Sequence, residues 1–185
     1  KFDNFKFFTI AQIKKLKDRT LTMNGVSKAY AMTGWRIGYA AGPKNIIAAI
    51  RKIQSQSTSN PSSISQAAAV EALNGTQSFI KKRAKSFCDR RNFVVNYLNS
   101  IPGITCLMPK GAFYVFPSCK GLIGKKTKIK NDTDFVQKLL EKQNVAVVQG
   151  SAFGLDGYFR ISYATSMKKL KIAMERIKLF CESLG

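Results

Sequence analysis

Apolar and polar positions alternate along this chain in segments that change period several times. An apolar run from Leu21 leads into Asn24, and Arg36 to Ala40 reads as a second short strand. Upstream, Phe2, Phe5, Phe7 and Phe8 suggest a partly buried extended segment. Thr9 to Leu16 suggests a short helix with Thr9 as its N-cap. After Gly42, Pro43 opens a helix expected over 44–55, in which Ile46, Ile47, Ile50 and Ile53 share one face. Residues 54–63 are small and polar. An alanine-rich helix is then expected over 65–74, stopped by Gly75.

Residues 76–99 follow as a long helix. Its apolar positions include Phe79, Ile80, Phe87, Val94 and Leu98, and Lys81, Lys82, Arg83, Lys85, Arg90 and Arg91 read as a solvated face. Beyond it the pattern becomes α+β. Strands are expected at 104–107, 112–116, 145–148 and 158–164, and helices at 132–144 (capped by Asp132 or Thr133) and 166–183. Between them, residues 120–130 form a basic loop.

Composition narrows the function classes. At 45% hydrophobic and 22% charged, the 185 residues can bury a core, as one large domain or parts of two. The balance of 31 Lys+Arg against 10 Asp+Glu, net +21, raises nucleic-acid binding as an alternative. The lysines are dispersed, however, and no zinc-finger spacing, RNA-binding sheet signature or basic-region helix is present. Specific nucleic-acid recognition is therefore not expected. Histidine is absent, which excludes a His/Cys metal site and a Ser-His-Asp triad, and no metal is expected. Cys88, Cys106, Cys119 and Cys181 are widely spaced and read as reduced thiols of a cytoplasmic protein. No apolar run is long enough to span a membrane.

Candidate chemistry concentrates in residues 24–42. Lys28 lies between the two candidate strands, flanked by small and aromatic residues rather than charges. An apolar pocket there would favour the neutral amine that attack on a carbonyl requires. Arg36 follows eight residues later, with glycines at 34 and 38 that allow close backbone approach to a ligand. Arginine keeps its charge and offers a planar fork to phosphate oxygens. Together they suggest a phosphorylated carbonyl cofactor, the alternative being a snorkelling lysine beside a structural arginine. A second candidate is Arg160, between aromatics in Gly157-Tyr158-Phe159-Arg160-Ile161-Ser162-Tyr163-Ala164. Burying it without an anion would be costly, unless it reaches solvent from an edge strand.

The string Ser27-Lys28-Ala29-Tyr30-Ala31-Met32-Thr33-Gly34-Trp35-Arg36-Ile37-Gly38-Tyr39 closely resembles the lysine segment of class I pyridoxal-phosphate-dependent aminotransferases, nearest the bacterial aspartate aminotransferase branch. The resemblance implies an α/β fold, fold type I. Residues 1–85 would be the C-terminal part of the cofactor-binding large domain, and 86–185 the small α+β domain. It implies that Lys28 condenses with the cofactor aldehyde and that Arg36 binds the phosphate of pyridoxal 5'-phosphate. By the same resemblance Arg160 takes the substrate α-carboxylate, and Phe113, in Gly111-Ala112-Phe113-Tyr114, lines the substrate pocket. The chain looks like the C-terminal half of such an enzyme, without the aspartate that contacts the cofactor ring, so turnover by it alone is expected to be weak or absent.

The implied activity is transfer of an amino group from an amino acid, aspartate foremost, to 2-oxoglutarate, in a homodimer. Prephenate, alanine or aromatic specificity is the alternative. Two positions depart from the pattern. Gly25 stands where some relatives carry a phosphate-binding serine. Ser55 stands near where the animal-type branch carries an arginine for the distal carboxylate.

Overall fold

The computed structural model describes residues 1–185. The chain divides into two compact units, Lys6–Lys82 and a second formed by Arg83–Gly185 with Lys1–Phe5. That the first five residues join the later unit is not signalled by the sequence pattern.

In Lys6–Lys82, strand β1 (Thr22–Gly25) pairs antiparallel with β2 (Gly38–Ala41), and Gly25 faces Gly38 where the connecting loop closes. A side chain on Gly25 would meet the Ile37 carbonyl oxygen at 3.0 Å, so a glycine suits this close approach. Helices α1 (Lys44–Ser57) and α2 (Ser63–Asn74) follow. The buried core of this unit is small: Val26, Ile37 and Ala69, with Tyr30 and Met32 packed on it.

Several expectations for this unit need correction. Arg36 is not in a strand; it ends a 3-10 turn at Thr33–Trp35 in the left-handed conformation, φ 54°. The first helix is instead two 3-10 segments, Ile10–Gln12 and Lys14–Arg19, with Thr9 at the first N-cap. Both strands are largely exposed, because they pair only with each other. Likewise, no residue of α1 is fully buried: Ile46, Ile50 and Ile53 are exposed and Ile47 is half-buried, so its apolar face is largely uncovered within this chain.

The other unit holds the main core. A three-stranded antiparallel sheet has the order β3 (Tyr114–Val115), β5 (Phe159–Ser162), β4 (Val148–Gln149). Helix α3 (Ser78–Asn99) runs into this unit, with α4 (Asp132–Gln143) packed on α5 (Met167–Glu182). On α5, Leu170, Met174, Ile177 and Cys181 recur at helical spacing and are all buried, as the amphipathic pattern requires. Phe135 sits with its ring centroid 5.1 Å from Phe159 and 5.3 Å from Phe180, and none of the three is exposed. Each such ring contributes about 1.5–3 kcal/mol on burial.

Here too the structure revises local readings. Residues 104–107 make only a bridge, Thr105 to Ser118, rather than a strand, although Ile104 and Cys106 are buried. Arg91 is not on a solvated face: it is 2% exposed and paired with Asp3. Helix α4 is capped by Asn131, whose side chain accepts from the Asp134 N–H at 2.8 Å, not by Asp132 or Thr133. Asp132 is drawn inward, where it accepts from the Ser151 N–H at 2.7 Å. Burial opposes its charge, yet the Ser151 hydrogen bonds hold its carboxyl below the ordinary carboxylate range. No helix is long and apolar enough to cross a membrane.

Candidate active site

Lys28 lies in a turn just after β1, and the carbonyl of Lys28 accepts the Ala31 N–H at 3.1 Å. The loop from Val26 to Ile37 is closed by β1–β2 pairing and held at three further points. Val26 and Ile37 enter the small core. The Tyr30 hydroxyl meets Gln77 Oε1 at 3.1 Å, and the Tyr30 ring packs edge-on against Phe79 with centroids 6.2 Å apart. Small residues at 29, 31 and 34 let this loop turn tightly. A side chain at Gly34 would meet nothing within 4 Å.

The side chain of Lys28 is exposed. The apolar enclosure expected from its neighbours is not supplied by these residues, because the strands on either side are themselves largely exposed. Arg36 is also exposed, and its Nη1 donates to the Thr33 carbonyl at 3.0 Å, which uses one of five N–H donors. One short loop therefore presents a primary amine and a guanidinium. In donor chemistry these fit a phosphorylated carbonyl compound, the amine for the carbonyl and the arginine for the phosphate.

Arg160 and Phe113 belong to the other unit. Strand β5 alternates: Phe159 and Ile161 face the core, while Arg160 and Ser162 face the opposite side. β5 is the central strand, so the edge-strand alternative for Arg160 does not hold. Tyr114 pairs with Ser162 across the ladder, which puts its ring on the Arg160 side of the sheet. The Arg160 guanidinium carbon lies 4.4 Å from the Tyr114 ring centroid and 4.5 Å from that of Phe153. Phe113 is half-buried, with its ring 4.2 Å from that of Tyr114, so it joins the same cluster.

Phe153 ends a 3-10 turn, Gly150–Phe153, that follows β4. The turn is tight: a side chain on Gly150 would come within 2.3 Å of the Leu155 carbonyl oxygen. Phe116 braces Phe153 edge-on at 5.9 Å and is itself stacked on Tyr158 at 5.7 Å. Sequence reasoning missed Tyr114 and Phe153 as neighbours of Arg160. The run of aromatics at 113–116 was a signal for the first, but nothing local marks Phe153.

Two arginines show what distinguishes this site. Arg91 is saturated: it donates to both Asp3 oxygens, to Asn92 Oδ1 and to the Pro109 carbonyl. Arg160 contacts rings only, and no hydrogen bond or ion pair within the chain engages its N–H groups. A saturated arginine holds structure together, whereas an arginine with its donors unused can receive an anion.

Known proteins resemble this chain closely. The aspartate aminotransferase of Rhizobium meliloti (strain 1021) is 60% identical over 189 residues, covering 100% of this chain and 46% of that protein. A Rhizobium leguminosarum bv. phaseoli protein named "Probable aspartate/prephenate aminotransferase" is 60% identical over 97% of this chain and 46% of its own length. The crystal structure of the Rhizobium meliloti aspartate aminotransferase superimposes with a TM-score of 0.94 at 60% identity, covering 98% of this chain and 46% of that one. This chain thus spans about half the length of the curated relatives it matches. Its likeness to them takes in the Lys28 loop and the Arg160 strand alike, and with residues 2–177 matching the family described as "Aminotransferase class I and II", the chain belongs to that family.

Proposed function

We propose that this chain carries the lysine-bearing and carboxylate-binding parts of a pyridoxal-phosphate-dependent aminotransferase. The reaction is transfer of an amino group from an amino acid, aspartate foremost, to 2-oxoglutarate, in a homodimer. The observation that carries this reading is the single hairpin loop holding both Lys28 and Arg36, in a chain of this family. Pyridoxal phosphate, when bound, supplies the electron sink. Lys28 Nζ would hold the cofactor through its amine and would carry the proton at the substrate α-carbon. Arg36 would hold the phosphate, so one loop would supply both groups that hold the cofactor. Arg160 takes the substrate α-carboxylate with its unused N–H fork, and Phe113 walls the pocket beside it. Residues 1–85 serve the cofactor and 86–185 the substrate.

Names among the relatives favour a dicarboxylic or prephenate-type partner. Gly25 and Ser55 supply neither a hydroxyl to the phosphate nor a guanidinium to a distal carboxylate. Groups outside these positions must then set that preference.

The test is borohydride trapping of pyridoxal phosphate on the chain, followed by peptide mapping. Label is expected at Lys28 above every other lysine, reduced in Arg36→Ala and absent from that peptide in Lys28→Ala. Pyridoxal lacking the phosphate should show no preference for Lys28. Uniform labelling across the lysines would overturn the assignment.

A further inference from the structure

We propose that Tyr114 and Phe153 are positioning residues: their rings set the Arg160 guanidinium so that its N–H fork meets a carboxylate ready-oriented. This rests on the reading of Arg160 as a carboxylate receptor and adds what makes it one. An arginine side chain has several freely rotating bonds, and it must surrender that freedom when it grips a ligand. Ordering it with an acidic partner would consume N–H donors and neutralise its charge, as Asp3 does for Arg91. Ordering it with rings does neither. The cation is held by the quadrupole of each ring, at centroid distances of 4.4 Å and 4.5 Å, and all five N–H donors stay available.

The rings are themselves fixed. Tyr114 is set by its place opposite Ser162 in the β3–β5 ladder and by the Phe113 ring. Phe153 is set by the tight turn at Gly150 and by the edge of Phe116. The two rings come from different connections of the sheet, β3 on one side of β5 and the end of β4 on the other. Their joint presence at Arg160 therefore follows from the sheet order rather than from a local motif.

The experiment is titration of the 185-residue chain, labelled with 15N-arginine, with maleate at constant ionic strength. The readout is the Nε–H resonance of Arg160, identified by its disappearance in Arg160→Lys. Chloride at matched ionic strength is the control for the basic surface. Wild type is expected to show a saturable shift with maleate and not with chloride. Tyr114→Leu and Phe153→Leu should each weaken the dissociation constant by roughly fivefold, the size of one partly exposed cation–ring contact. Tyr114→Phe and Phe153→Tyr, which keep a ring, should stay near wild type. Phe153 is half exposed, so its leucine variant leaves the core intact and keeps the test decisive should Tyr114→Leu fold poorly. Absence of a saturable shift in wild type would overturn the carboxylate reading of Arg160, and this proposal with it. A wild-type dissociation constant in the leucine variants would overturn the positioning role alone.

Discussion

Asp3 and Arg91, 88 residues apart, close a two-pronged ion pair, Nη1 to Oδ2 at 2.5 Å and Nη2 to Oδ1 at 3.0 Å. The guanidinium also lies over the Phe2 ring, 4.7 Å from its centroid. Phe2 is buried, and its N–H bonds the Lys110 carbonyl at 2.9 Å. One buried cation on α3 therefore fastens the first residues of the chain to the unit that begins at Arg83.

Arg91→Ala should destabilise that unit by on the order of 3 kcal/mol, since it strips a buried hydrogen-bond hub, takes the donor from the Pro109 carbonyl and removes the ion-pair partner of Asp3. Asp3→Asn should cost less, because Asp3 is more than half exposed and solvent can replace part of the contact. The Arg91 hydrogen bonds hold the Asp3 carboxyl below its ordinary range. The stability they add is present above the unfolded-state value, near 3.8, and is lost as pH falls through the lowered one. Urea titrations of both variants at neutral pH and below pH 3 check the ranking. Equal costs at neutral pH would contradict the buried-hub account.

Asn131→Ala should lower stability by about 1 kcal/mol, the ordinary value of a lost N-cap, because the Asp134 N–H loses its acceptor. Thr133→Ala should be nearly neutral, since its hydroxyl meets only the exposed Ser151 hydroxyl at 3.5 Å. Thermal unfolding of the two variants separates them, and a reversed order would return the cap to the position expected from sequence.

The cysteines predict a one-sided pH profile. Burial pushes the Cys119 and Cys181 thiols up to about 12 and Cys106 to about 11, from an ordinary value of 9.0. The unfolded chain therefore releases these protons first. Their contribution is complete below pH 9 and is lost as pH rises from there through 11 and 12. Equilibrium unfolding followed from pH 8 to pH 11 should show stability falling steadily above pH 9. At pH 8, a thiol reagent should modify half-buried Cys88 well before the other three. Simultaneous reaction of all four would mean that the buried thiols open as readily as the surface one.

What could be read from the sequence was whatever short-range periodicity or contiguous residues encode. The i, i+4, i+7 stripe on α5, the strand–loop–strand frame around Lys28 and the family's lysine string are each complete within a few tens of residues, so neighbouring side chains suffice to specify them. What needed the tertiary structure was decided by contacts between distant segments. Asp3 chooses Arg91, Ser151 draws Asp132 inward and frees Asn131 to cap α4, and sheet order brings Tyr114 and Phe153 to Arg160. The exposure of Lys28 belongs here as well: a strand's sequence records its own side chains but not whether another layer covers them. Local propensity acts on the next few residues, whereas burial and ion pairing depend on which surfaces meet.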